Sequence, residues 1–221
     1  MSHKKLIIFG TGDIAQIANY YFHIDSEYDV AAFAVNEAYI QESTFEGLPV
    51  VAFENIEEQF PPSRFDMFIA TSYAKLNRVR EQKYNEAKAK GYKLATYLSS
   101  RCSYMSQYAP GDNCFIFEDN TVQPFVKIGN NVTLWSGNHI GHHSIIYDHN
   151  FVASHVVISG RCEIMSNCFL GVNVTLHNNV TIAPNNVIGA GAVIARNTEP
   201  DQVWLPERAK LYHKKSSDVE L

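Results

Sequence analysis

Aliphatic residues recur at every sixth position between residues 116 and 194, without a slip. They are Ile116, Val122, Ile128, Leu134, Ile140, Ile146, Val152, Ile158, Ile164, Leu170, Leu176, Ile182, Ile188 and Ile194. Neither a helix of period 3.6 nor a strand of period 2 can produce this spacing. A short fixed repeat is typical of a solenoid, in which each hexad forms one short strand and a turn. We therefore expect each aliphatic side chain to point into a solenoid core.

Composition excludes several classes of protein. The formal net charge of -5 gives no electrostatic attraction to nucleic acid, and no apolar run approaches the ~20 residues of a membrane span. The apolar run near the start precedes a glycine and predicts a first strand, not a signal peptide. Four cysteines fall on inward positions of the hexad register, namely Cys102, Cys114, Cys162 and Cys168. They predict small core residues, no disulfide, no metal site and a cytoplasmic protein.

The first 97 residues follow a different pattern, in which buried strands alternate with amphipathic helices. Strands are predicted at residues 4–9, 29–35, 48–53, 65–70 and 93–98, and the clearest helix at residues 74–90, ended by Gly91. This alternation predicts a small doubly wound, Rossmann-like α/β domain. We expect this domain at residues 1–97, the solenoid at residues 98–200 and a tail at residues 201–221.

A glycine turn joins the first strand to the first helix, with Gly10 and Gly12 two residues apart. Such a turn lets the backbone approach a ligand, and the helix start that follows favours negative charge. NAD binding would require an acidic residue at the end of the second strand, where Asn36 stands and Glu37 comes one place late. Binding of a nucleotide-linked sugar and a purely structural turn both remain open.

Histidines cluster in the middle of the solenoid. His139, His142 and His143 fall within five residues, and His149, His155 and His177 follow. The first five occupy outward positions of the register, so they are not core residues. Plain surface histidines and a metal site are alternatives, although no carboxylate or cysteine shares the cluster at ligand spacing. A neutral imidazole on a rigid strand suits general-base chemistry, and acyl transfer to an amine or hydroxyl needs such a base.

An α/β domain followed by hexads resembles the sugar acyltransferases typified by bacillosamine-pathway N-acetyltransferases and sialic-acid O-acetyltransferase-like proteins. In that family, three hexads close one triangular coil of about eighteen residues in a left-handed parallel β-helix. The resemblance extends from Lys4 to about Pro200.

The resemblance implies a site on the β-helix. The family's general base lies in an aliphatic-x-His-acidic stretch, which His142 matches in Ile140-Gly141-His142-His143. Acetyl-CoA would be the acyl donor, bound between neighbouring subunits of a homotrimer. The backbone amide of Gly160 would contact the thioester oxygen, and the pantetheine arm would pass Val172 and Ala190.

The resemblance also implies an acceptor site on the N-terminal domain. A nucleotide-linked amino sugar would lie against Gly10, Gly12 and Asn36, with Thr71 and Ser72 close by. Asn138, beside the histidines, is assigned to the acceptor too.

The sequence departs from the family at the residue after the base, where His143 replaces an acidic residue. The group that orients His142 is therefore open, and Asp148 is a further candidate. The tail also departs, since Trp204-Leu205-Pro206 replaces the family's usual motif. Apolar residues between inward positions, namely Ile145, Phe151, Val157 and Phe169, are expected to fill the trimer interface.

The sequence thus predicts an acetyl-CoA-dependent N-acetyltransferase that acts on a nucleotide-linked amino sugar by direct attack of the amine. An O-acetyltransferase of the same fold is an alternative. A non-catalytic trimer that binds nucleotide sugars is another, although His142 argues against it.

Overall fold

Each hexad forms a two-residue strand that ends on its aliphatic residue, after which the chain turns. The computed structural model describes residues 4–211, 213 and 215–218. The aliphatic residues of the repeat are at most 5% exposed. Strands 18 residues apart pair in parallel, as Leu134 does with Ile116 and Val152, and only the last pair, Ile188 with Trp204, is 16 residues apart among the described strands. The predicted left-handed parallel β-helix is confirmed.

The β-helix has three flat faces. Face 1 contains the strands Lys127–Ile128, Ile145–Ile146, Glu163–Ile164 and Thr181–Ile182. Face 2 contains Tyr97–Leu98, Phe115–Ile116, Thr133–Leu134, Phe151–Val152, Phe169–Leu170, Val187–Ile188 and Val203–Trp204. Face 3 contains Ser103–Tyr104, Thr121–Val122, His139–Ile140, Val157–Ile158, Thr175–Leu176 and Val193–Ile194.

Three corners join these faces and repeat along the β-helix. The first corner joins face 3 to face 1 at residues 141–144, the second joins face 1 to face 2 at residues 147–150, and the third joins face 2 to face 3 at residues 153–156. Most turns contain one residue with positive φ, which favours glycine, asparagine and histidine. At the second corner these residues are Asn113, Asn131, His149, Asn167 and Asn185.

The N-terminal domain is a five-stranded sheet in the order β3-β4-β2-β1-β5. Its strands are β1 (Lys4–Phe9), β2 (Tyr28–Val35), β3 (Thr44–Phe45), β4 (Leu48–Ala52) and β5 (Phe65–Ile69), of which only β3 is antiparallel. The helices are α1 (Asp13–Ile24), α2 (Ile56–Gln59) and α3 (Arg78–Ala89), with a 3-10 turn at Glu37–Tyr39, and a second 3-10 turn lies in the C-terminal tail at Ser216–Asp218. Strand order reverses at β1, which places a crevice at the carboxyl ends of the strands. The predicted α/β domain is confirmed.

Two predicted elements differ from the structure. The predicted strand at residues 93–98 is split, because Leu94 bridges Met67 of β5 whereas Tyr97–Leu98 begins face 2 of the β-helix. Helix α3 begins at Arg78 and not at residue 74, since Lys75, Leu76 and Asn77 all have positive φ. Helical periodicity in the side chains could not reveal this left-handed turn.

Helix α3 lies along the second corner and contacts successive coils. The end of α3 contacts Asp112 in an early coil, and its start contacts Asn185 in a late coil. Tyr84 and Lys88 both bond to Asp112, at 2.5 Å each. Glu81 accepts from Asn167 Nδ2 at 3.0 Å, and Arg78 donates to Asn185 Oδ1 at 2.8 Å.

Arg80 lies at the centre of this contact and is only 2% exposed. Its Nη2 donates to the carbonyl oxygens of Asn150, at 3.0 Å, and Asn131, at 3.3 Å. The guanidinium also lies 5.7 Å from the Phe151 ring centroid. Burial lowers the pKa of Arg80 to about 10, so the group still carries its charge at neutral pH. The charge is held by carbonyl dipoles and an aromatic face.

Face 2 is covered by the chain's own N-terminal domain. The Tyr73 ring lies 5.0 Å from Phe151 and 4.8 Å from Phe169, and Phe151 is only 6% exposed. The prediction that Phe151 and Phe169 fill an interface between subunits was therefore wrong. Val157 on face 3 is 39% exposed, and Ile145 on face 1 is partly exposed.

The cysteine thiols are free, and three of the four are buried. Among the described residues, none of the helices has the length and apolar character needed to cross a membrane. The same residues contain no group of three histidine, cysteine or acidic side chains that could hold a metal ion.

His149 makes the contact between α3 and the second corner sensitive to pH. Its Nδ1 lies 2.9 Å from Asn131 Nδ2, and its Nε2 lies 3.8 Å from Glu81. Burial lowers the pKa of His149 below its ordinary value of 6.5. Glu81 and Asp148 oppose this shift, whereas Arg80 and Arg78 add to it.

We expect the free energy of unfolding to be highest above about pH 6.5 and to fall as the pH drops toward the folded pKa of His149, because the unfolded chain binds the proton more readily. Chemical denaturation at several pH values would measure this. His149→Asn is the matched variant, since asparagine occupies the same turn position in the coils on either side. The variant should lose less stability on acidification, and an unchanged pH profile would contradict the assignment.

Candidate active site

A cleft of about 760 Å³ lies at the carboxyl ends of β1, β2 and β5. Its lining includes all five residues that the sequence assigned to the nucleotide sugar, namely Gly10, Gly12, Asn36, Thr71 and Ser72. They come together because the ends of neighbouring parallel strands meet at one edge of a sheet.

The two glycines of the turn have different roles in the structure. Gly10 has a φ of 127°, and a Cβ there would lie 2.7 Å from the carbonyl oxygen of Ala70. Gly10 is therefore needed for the turn itself. Gly12 precedes the first residue of α1, and a Cβ there would meet nothing within 4 Å. The open space beside Gly12 belongs to the cleft, next to helix N–H groups that lack intrahelical partners.

The polar side chain after β2 is held by a hydrogen bond, and the one after β5 lacks a hydrogen-bond partner among the described residues. Asn36 Nδ2 donates to Glu54 Oε1 at 2.8 Å, and the other oxygen of Glu54 accepts from the backbone of Glu37. These bonds lower the pKa of Glu54 and hold the Asn36 side chain at the rim. Thr71 Oγ1 is buried and has no partner among the described residues. A ligand hydroxyl or phosphate oxygen in the cleft could supply that partner.

Sequence reasoning missed Lys83, which α3 contributes to the cleft. Of the described residues that line the cleft, it alone is a cation. Its ammonium pairs with Glu86 at 2.5 Å and lies about equally far from the ring centroids of Phe9 and Phe53, at 5.6 and 5.5 Å. A cation here suits a phosphate. One lysine on a helix rich in charged residues gives no signal in the sequence.

His142 lies exposed at the first corner, and its position depends on the coils on either side. Its backbone N–H donates to Gln123 Oε1 at 2.9 Å, in the preceding coil. Its ring lies against Gly160 in the next coil, where an added Cβ would be 2.7 Å from Cε1 and 2.8 Å from Nε2. Gly160 therefore provides the space that the ring occupies.

His143 contacts His142 directly, with 3.1 Å between the two Nδ1 atoms. Partial desolvation, the Arg161 guanidinium and the His142 ring lower the pKa of His143, so it stays neutral at neutral pH. Its ring also stacks on Phe125, with 4.6 Å between centroids. Asp148 does not orient His142, because it lies at the second corner and accepts from the backbone of Asn130 at 2.7 Å.

Of the other histidines in the solenoid, His177 lies exposed at the first corner, two coils beyond this pair, and the rest lie elsewhere. His149 and His155 lie at the second and third corners and, like His143, occupy turn positions with positive φ. His139 lies on face 3, beside the first corner.

Asn138 is 1% exposed, and its carboxamide bonds to Trp135 O and Val156 N. The assignment of Asn138 to the acceptor was therefore wrong, because both ends of its amide hold the third corner.

The residues predicted to bind acetyl-CoA are divided between two corners. Gly160 is at the first corner, whereas Val172 and Ala190 lie exposed at the third corner, across face 3. A single chain does not bring these three residues together.

Comparison with known proteins agrees with this fold. Residues 161–196 match the family model described as bacterial transferase hexapeptide (six repeats). No curated protein matches the sequence significantly.

Among solved structures, the acetyltransferase domain of PglB from Neisseria gonorrhoeae is 19% identical, with a TM-score of 0.79 over 90% of this chain and 95% of its own. The chain has the fold of this acetyltransferase. A histidine-to-asparagine variant of perosamine N-acetyltransferase from Caulobacter crescentus, in complex with CoA and GDP-perosamine, is 18% identical, with a TM-score of 0.78 over 91% and 93% of the two chains. WeeI from Acinetobacter baumannii is 16% identical, with a TM-score of 0.76 over 90% and 95%.

Replacing Gly12 with valine should fill part of the cleft without disturbing the turn, because the space beside Gly12 is open. We expect the KM for a nucleotide-linked amino sugar to rise roughly tenfold or more, which corresponds to a loss of about 1.4 kcal/mol. The KM for acetyl-CoA and the melting temperature should stay near the wild-type values. An equal rise in the KM values for both substrates would show that Gly12 serves the fold alone.

Proposed function

We propose that this protein transfers the acetyl group of acetyl-CoA to the amino group of a nucleotide-linked amino sugar. The observation that carries this proposal is the exposed His142 imidazole, held by three neighbours at one corner of the β-helix. The cleft with Gly12, Thr71 and Lys83 supports binding of the acceptor through a nucleoside diphosphate group. The fold shared with a perosamine N-acetyltransferase that binds CoA and GDP-perosamine supports the same chemistry.

The histidine pair suits a general base. If His142 carries its proton on Nδ1, it donates to Nδ1 of the neutral His143, and Nε2 presents its lone pair outward. The acceptor nitrogen attacks the thioester carbon, and His142 Nε2 takes the proton from that nitrogen. The resulting oxyanion collapses, the carbon–sulfur bond breaks, and the thiolate of CoA takes the proton from His142. The products are the acetylated amine and CoA, and His142 returns to its starting form.

The site needs a second copy of the chain. The N-terminal domain covers face 2, whereas His142 lies at the first corner, opposite that face. A face of six residues spans at most about 20 Å at 3.3 Å per residue, so the β-helix itself separates the cleft from His142 within one chain. The cleft lies beside Tyr73, which packs on the same coils that carry His142 and Gly160. A homotrimer closed by heterologous contacts would bring the cleft of one copy to the first corner of the next.

His142→Ala should lower kcat by about 10²–10⁴-fold, the usual contribution of a general base. The KM values and the melting temperature should change little, because the exposed ring adds little packing. His143→Ala should cost less, and His143→Asp should recover most of the rate, since a carboxylate also accepts from Nδ1. The acid limb of the pH profile should then move to higher pH, because the carboxylate stabilises the imidazolium. Turnover of His142→Ala near the wild-type value would place the base elsewhere.

Mixing two impaired variants, one with a weakened cleft and one without the histidine, would test the composite site. In a trimer formed from equal amounts of Gly12→Val and His142→Ala chains, about a quarter of the sites would combine an intact cleft with an intact histidine from the neighbour. Activity at low nucleotide-sugar concentration should therefore return to about a quarter of the wild-type rate. If cleft and histidine came from the same chain, no site would be restored. A monomer in light scattering at micromolar concentration would also contradict the proposal.

Assay of the wild-type protein with acetyl-CoA and a panel of UDP-, dTDP- and GDP-linked amino sugars tests the function itself. Matching sugars with a hydroxyl in place of the amine would identify an O-acetyltransferase. Binding of CoA and of nucleotide sugars without turnover on any of them would instead identify a binding protein.

A further inference from the structure

The backbone amide of Gly160, which the resemblance assigns to the thioester oxygen, is already engaged in the structure. It donates to Oδ1 of Asn178, one coil further along the β-helix, at 2.9 Å. Gly160 is buried, so this N–H cannot turn toward a second acceptor without losing the first. In this arrangement the Gly160 amide is occupied, and the group that it positions carries an N–H donor of its own.

The hydrogen bond fixes the orientation of the Asn178 carboxamide. A backbone N–H can only donate, so the atom facing Gly160 is the oxygen and Nδ2 points away. Asn178 is exposed, and its Nδ2 has no hydrogen-bond partner among the described residues. Its counterpart at the second corner is Asn130, whose Oδ1 accepts from Asp112 in the same way, but whose Nδ2 faces Asp148 at 3.4 Å. Asn178 thus keeps an oriented, unused N–H donor, whereas Asn130 does not.

Asn178 and His142 meet at the same residue from opposite sides. The His142 ring extends from the preceding coil to lie against Gly160, with Nε2 2.8 Å from the position of an added Cβ. The Asn178 carboxamide extends from the following coil to the nitrogen of Gly160. The base and the carboxamide that carries the donor therefore both contact one glycine, which has no side chain to separate them. A thioester carbonyl needs this pairing, because one group removes a proton while the other stabilises negative charge on oxygen.

We propose that Asn178 Nδ2 donates the hydrogen bond that stabilises the oxyanion during acetyl transfer. This inference rests on the proposed function and adds a catalytic residue to it. As the amine nitrogen bonds to the thioester carbon, the carbonyl electrons move to oxygen, and Asn178 meets the charge that develops there. The Gly160 amide acts through Asn178 by holding its oxygen. When the carbon–sulfur bond breaks, the carbonyl re-forms and the hydrogen bond weakens.

Asn178→Asp separates catalysis from structure, because the new carboxylate still accepts from the Gly160 amide but cannot donate. We expect kcat to fall by about 10²–10³-fold, the usual cost of one oxyanion donor, with both KM values and the melting temperature unchanged. Asn179→Asp is the matched control, since it adds the same charge at the neighbouring exposed residue of the corner, whose φ of 64° aspartate tolerates. This control should keep nearly full activity across the pH range.

Four outcomes would overturn the proposal. A kcat for Asn178→Asp close to the wild-type value would leave Asn178 as a cap of the corner only. An equal loss in Asn179→Asp, or recovery of Asn178→Asp at higher pH, would show that added charge on His142 and not a missing donor lowers the rate. A wild-type protein that acetylates no nucleotide-linked sugar would reject the proposed function together with this inference. Activity in the wild type combined with an unaffected Asn178→Asp variant would reject this inference alone.

Discussion

The packing of α3 along the second corner fixes the relation between the two parts of the chain. A helix rises 1.5 Å per residue and stacked coils are about 4.8 Å apart, so every third or fourth residue of α3 meets a new coil. Tyr84 and Arg80, four residues apart, follow this match by contacting Asp112 and Asn131 in adjacent coils, and the long side chain of Arg78 extends the contact to Asn185 in a later coil. Removal of the buried Arg80 guanidinium would leave the carbonyl oxygen of Asn131 without this donor, whereas that of Asn150 would keep the backbone N–H of Thr133. The two carbonyl dipoles and the Phe151 ring offset the buried charge on one side, and Nε and Nη1 have no partner among the described residues. Because another side of α3 contributes Lys83 to the cleft, the same helix places the cleft against the β-helix.

Sequence periodicity predicted the β-helix almost completely, since one aliphatic residue in six specifies both the strand and the direction of its side chain. It could not predict what covers an outward side chain. Phe151 and Phe169 read as exposed apolar residues suited to a partner subunit, and the chain's own Tyr73 covers them. The segment around residues 93–98 shows the same limit, because its apolar residues fit either sheet and only tertiary pairing divides them.

The sequence predicted those residues of the cleft that the strand order brings together. It did not predict those that reach the cleft only through long side chains or hydrogen bonds. Gly10, Asn36 and Thr71 follow three strands of one parallel sheet, so their meeting in a cleft follows from the strand order. Lys83 and Glu54 reach the same region through long side chains or hydrogen bonds that no spacing indicates. The histidine cluster was misleading in part, because His143, His149 and His155 share a backbone position with positive φ that favours histidine for conformational reasons. Among the described histidines, two imidazoles contact one another at the first corner alone, those of His142 and His143.

The three corners of the β-helix are used differently, and this division explains why the first corner is free for chemistry. The second corner is occupied by α3, and the third holds Glu118, which accepts from Tyr21 of α1 at 2.8 Å. Both contacts come from the same chain and hold the N-terminal domain on face 2. Nothing in the described part of the chain covers the first corner in this way, and His142 and Asn178 are exposed there. Under the proposed function, a chain that covers face 2 with its own domain would take the remaining walls of a closed site from another copy, and assembly would then be needed for catalysis.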